Sequence, residues 1–128
     1  MKQKKQGLRA LMPQHAPDDD LKLMAQRGTY FDPQCGLVIE NYLQNRERYL
    51  GKPGYTAEGF AAMEKILPMD HEIVKHAAKT SGLKIVFGTD AVAGAHGRNA
   101  EEFIDRMRDC GLGPMVAMVS ANCWALKR

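Results

Sequence analysis

At 128 residues, with 45% hydrophobic and 26% charged side chains, the chain has the make-up of one folded domain rather than of a disordered polymer. Even its most compact apolar run, Leu83 to Phe87, contains Lys84 and falls far short of the roughly 18 residues a membrane helix needs, so no membrane span is expected. The net charge of +3 gathers in the opening MKQKKQGLR and in Lys127 and Arg128, which leaves no basic face for nucleic acid.

Residues 1–14 show no periodicity and read as a flexible basic segment. No apolar stretch of an export signal follows the lysines, so a cytoplasmic location is expected. The rest, 15–128, is read as one unit. Asp18, Asp19 and Asp20 favour a helix start, and Leu21, Leu23 and Met24 lead to a stop at Gly28. Thr29 to Asp32, closed by Pro33, reads as a short buried strand. A second helix is expected between Gly36 and Gly51, with Leu37, Val38, Tyr42, Leu43 and Tyr49 on its apolar side. Thr56 caps a third helix that Pro68 ends, and Asp70 caps a fourth that runs toward Gly82.

Leu83 to Phe87 is β-branched and aromatic, a strand that leaves the sheet at Gly88-Thr89-Asp90. After a glycine-rich loop, Asn99 caps a helix carrying Phe103, Ile104 and Met107, and Pro114 opens a last helix through Trp124. Strands alternating with helices predict an α/β protein with parallel strands. Two such strands cannot stand alone, so the expected architecture is part of a (β/α)8 TIM-type barrel, with its last strands, helices and a helical lid insertion.

Among chemistry-bearing residues, Asp90 stands out because it directly follows an apolar strand, where α/β barrels place reacting groups. A carboxylate there can hold a divalent metal or take a proton from a metal-bound water, and a loop-ordering cap is the plainer alternative. Cys35, Cys110 and Cys123 lack CxxC spacing and read as reduced, buried thiols. His71 and His76 are five apart on a helix, a poor spacing for joint ligation, and read as solvated. Tyr30 reads as a buried aromatic.

The stretch Leu83 to Asn122, with its GTDA, HGRN and GLGPMVAMVSA pieces, resembles the last strand and following helices of the amidohydrolase superfamily. The likeness is to the branch near the Xaa-Pro dipeptidases and imidazolonepropionases. A weaker stretch, HAPDDDLKLMAQRGTYFDPQ, is similar to the family segment after the sixth strand. The resemblance implies a metal-dependent hydrolase of C–N bonds acting on peptide-like or acylated amino-acid substrates, with zinc or a similar divalent ion. It implies Asp90 as metal-facing proton shuttle, His15 as a metal-binding histidine with Ala16 in place of the expected glycine, and a substrate contact from the His96 loop.

Arg98 could pair with a substrate carboxylate or with the nearby Glu101 and Glu102. The family's HxH motif occurs nowhere in this chain, and a barrel needs about 250 residues. The expectation is therefore a fragment with an incomplete site and little or no turnover of its own. The alternative is a catalytically inactive α/β piece that associates with another copy or another chain through uncovered strand edges and apolar helix faces.

Overall fold

The computed structural model describes residues 18–92 and 94–122. Its elements in chain order are α1 (Asp18–Gln26), β1 (Tyr30–Phe31), α2 (Leu37–Gln44), α3 (Arg46–Tyr49), α4 (Ala57–Lys79), β2 (Lys84–Ile85), α5 (Glu101–Arg108) and α6 (Pro114–Asn122). Helix accounts for 59% and strand for 4% of the described residues, so the protein is a small helical domain and the expected α/β partial barrel is overturned.

Both β-rich runs do extend and do pair in parallel, but the ladder is only two residues long, Tyr30 opposite Lys84 and Phe31 opposite Ile85. One reason it goes no further lies in a side chain. Arg106 donates to the carbonyls of Val86 (3.0 Å) and Gly88 (3.3 Å), groups that a longer ladder or a third strand would need. Its second terminal nitrogen also donates to the Pro33 carbonyl beyond β1. One guanidinium thus ties together the loops that leave the two strands.

The long helix α4 is the spine. Val74 on it packs with Cys35, Cys110 and Leu112, while Ala77 one turn later packs with Leu21 and Ile85, so neighbouring positions on one face anchor two core clusters. Thr56 caps α4 as its sequence predicts, accepting from the Gly59 amide at 3.1 Å. Pro68 does not divide it: the two helices expected on either side are one, from Ala57 to Lys79, and Asp70 sits inside it rather than capping a new start. Proline inside a helix costs on the order of 3 kcal/mol. Burial of Phe60, Val74 and Ala77 on the same element offsets that cost.

The helix expected between Gly36 and Gly51 is broken at Asn45, whose side-chain amide donates to the Asn41 carbonyl at 2.8 Å and competes with the helical ladder. Asn99 does not cap α5. Its Oδ1 accepts from Thr89 Oγ1 at 3.1 Å, and Ala100 stands at the cap.

The largest departure lies in α5. Phe103, Ile104 and Met107 suggested an apolar inner face, yet Ile104 is 52% exposed while Glu102, Asp105 and Arg106 are buried. Burying one member of the Glu102 and Arg106 pair takes the other with it, because four residues put both on one face.

Candidate functional site

Asp32 follows β1 and Asp90 lies a few residues beyond β2, and since the strands are parallel the two carboxylates stand at the same end of the pair. They border a groove of about 320 Å³ whose walls are Phe31, Val38, Ile39, Ile73 and Val74, with Asp70 as a third acid. Among the described residues that line it, none is basic.

The approach of Asp32 to the second strand depends on Gly88, since a Cβ there would fall 2.6 Å from Asp32 Oδ1. Asp90 is solvent-exposed and holds a positive φ of 46°, unusual for a residue other than glycine but tolerated by Asp and Asn. Its carboxylate makes no hydrogen bond or ion pair among the described residues. It is presented outward rather than spent on ordering its loop.

Electrostatics distinguish the three acids. Asp32 reaches solvent, yet the groove wall covers enough of it that desolvation raises its pKa; Arg106 opposes the shift and Asp90 adds to it. Asp70 is likewise raised by burial, with His71 opposing.

His96 is exposed on the glycine-rich turn and is not in the groove wall. Arg98 is not there either. Its fork is filled by Glu101 (2.9 and 2.7 Å), Asn41 (2.8 Å) and Gln44 (3.3 Å). His15 lies outside the described residues. Tyr30 is 43% exposed rather than buried, with Lys84 over its ring.

The resemblance calls for a zinc-like ion at Asp90, and the residues present do not fit one. Asp32, Asp70 and Asp90 supply carboxylates only, and among the described residues the groups of three donors within mutual reach lie elsewhere, around His71. No chemical step is therefore routed through a metal at this groove.

Two features escaped the sequence reading. Arg106, which donates to the carbonyl of Pro33 in the groove wall, sits in a helix that reads as an ordinary amphipathic one. Cys35 and Cys110 are joined as a disulfide across 75 residues, where reduced thiols were expected, and His71 beside them is not simply solvated: its Nε2 is buried. Linear spacing carried no signal of this cluster. No family model, curated protein or solved structure matches the chain.

Proposed function

We propose that the chain carries one side of a hydrolytic site for C–N bonds, of the kind its likeness to the metal-dependent amidohydrolases implies, with Asp90 as the proton-accepting carboxylate. The observation that carries this reading is the pairing of Asp32 and Asp90 at one end of two parallel strands, on the rim of an apolar groove. Phe31, Val38 and Ile39 suit the apolar part of a peptide-like or acylated amino-acid substrate, while an all-acid rim favours a cation or an amine over a substrate carboxylate. Asp90, open to water and without a partner among the described residues, is the group placed to act as the base.

The chain by itself turns over little or nothing. Three carboxylates do not make the donor set of a catalytic zinc, and the 128 residues contain no HxH. The test is a manganese titration followed by amide NMR. Weak, millimolar binding should broaden signals at Asp32 and at 88–90, and Asp90→Asn should abolish it. Absence of broadening there would overturn the groove as a cation-facing site, and zinc-dependent, Asp90-dependent dipeptide hydrolysis by the purified chain would overturn its incompleteness.

A second reading, association with another copy through apolar surface, is favoured by Ile104, Met107, Met115, Val116 and Met118, all exposed on α5 and α6. Light scattering after size exclusion decides it: a monomer at high micromolar concentration rejects self-association.

A further inference from the structure

Cys35, His71 and Cys110 come from three separate places, the segment before α2, the middle of α4 and the turn just after α5, and their donor atoms lie within 4.8 Å of one another. Both cysteines are buried. His71 Nε2 is buried without a hydrogen-bond partner among the described residues, a costly state for a ring nitrogen.

The backbone makes room for that ring. Gly36 holds φ +125°, and a Cβ there would collide with Leu67 Cδ1 and sit 3.2 Å from Nε2. His71 also belongs to a second group, with Glu40 and Asp109, whose donor atoms are again within 4.8 Å of each other, and Arg108 is paired with both of those carboxylates. Two sulfurs and an imidazole are donor types of a tetrahedral zinc site, and a carboxylate beside a ligating histidine is its usual orienting partner. The cysteine positions are themselves fixed: Glu102 accepts from the Cys35 amide, and the Cys110 amide is bonded to the Asp105 carbonyl at 3.2 Å.

We propose that Cys35, Cys110 and His71 bind one zinc-class divalent ion when the cysteines are reduced, with water in the fourth position, and that the Cys35–Cys110 disulfide closes this site. An external dithiol supplies two electrons and two protons: the S–S bond breaks, two S–H bonds form, and the dithiol leaves as its own disulfide. The ion then displaces the two thiol protons to water, forms two metal–sulfur bonds and takes the lone pair of neutral His71. The site shares no ligand with the Asp32 and Asp90 groove, so the two readings stand or fall separately.

Cobalt(II) is the probe, because thiolate ligation gives a sulfur-to-metal absorption in the near ultraviolet and tetrahedral geometry gives intense visible bands. Protein reduced and freed of reductant should take up one equivalent with both signatures, zinc should displace it, and the oxidised protein should show neither. Cys110→Ser should at least halve the sulfur absorption, and His71→Gln, which removes a ligand itself, should weaken binding by more than the roughly 10-fold that loss of an outer partner costs. Cys123→Ser and Asp90→Asn should leave the spectrum as it was. Should Cys110→Ser fail to fold, the oxidised and reduced wild-type proteins make the same decision. No sulfur absorption in the reduced, folded protein, equal uptake in both redox states, or loss of the signal in Cys123→Ser overturns the site.

Discussion

Arg106 has no exposed side-chain surface, nor has its partner Glu102 3.3 Å away, so both charges have been taken out of water. Desolvation pulls the Arg106 pKa down and the Glu102 pKa up, each opposed by the other's charge. Three carbonyls, the Glu102 carboxylate and the Phe87 ring 4.7 Å from its Cζ compensate Arg106. Arg106→Met strands Glu102 as an unpaired buried charge and should cost about 3–5 kcal/mol in urea unfolding at neutral pH. Lys22→Ala, which removes an exposed pair, should change stability by less than about 1 kcal/mol.

Asp105 makes a different kind of prediction. Desolvation, with Glu40 adding to it, raises its pKa from 3.8 to about 6, and its Oδ2 is buried without a partner among the described residues despite Arg108 at 3.0 Å on the other oxygen. Because the folded state holds this proton more tightly than the unfolded one, the group's contribution to stability falls as pH rises from about 4 to about 6. Asp105→Asn should flatten that slope and raise stability at pH 7 by on the order of 1–2 kcal/mol, read from thermal melts across this window. At this scale the sequence showed what a strand end shows. Asp90 could be singled out because an apolar run stops just before it, whereas Arg106 could not, since in EEFIDRMR the apolar residues drew attention to the face that lies outward.

Elements were legible where a local signal decides them and illegible where packing overrules one. Gly28, with φ +65° and its amide bonded to Ala25 O at 3.1 Å, ends α1 by the conformational freedom its sequence advertises. Pro68 advertises an end that does not come. A proline withholds the N–H that would reach the Glu64 carbonyl one turn earlier, so α4 carries a missing rung near its centre. Pro68 is solvent-exposed, which means that replacing it leaves the core untouched. Pro68→Ala restores the rung but frees the unfolded chain, and the balance should stabilise the protein by about 1–2 kcal/mol, seen as a higher urea midpoint with an unchanged slope. A lower midpoint would mean that Pro68 stabilises the protein chiefly by restricting the unfolded chain.

On the scale of the whole molecule, expectation and outcome diverge over what closes the structure. A barrel would close by hydrogen bonds between strands. This domain closes by α4 lying against both core clusters and by the Cys35–Cys110 link, whose ends are 75 residues apart and 6.9 Å between Cα atoms. Periodicity is a local property, so neither the pairing nor the company of His71 could be read from it. Joining residues so distant in sequence removes unfolded-state freedom worth about 4 kcal/mol in the chain-entropy account. Reduction in metal-free buffer should therefore lower stability by an amount of that order, and most of the loss should fall on the cluster of Val74 and Leu112 that the link crosses. Hydrogen exchange separates this from uniform loosening: amides at the end of α5 and around Cys35 should lose protection first, while those of α1 and β2, held by Leu21, Ala77 and Ile85, should follow only at global unfolding. Equal loss in both clusters would mean that the domain is one cooperative unit in which the link acts only on the unfolded chain.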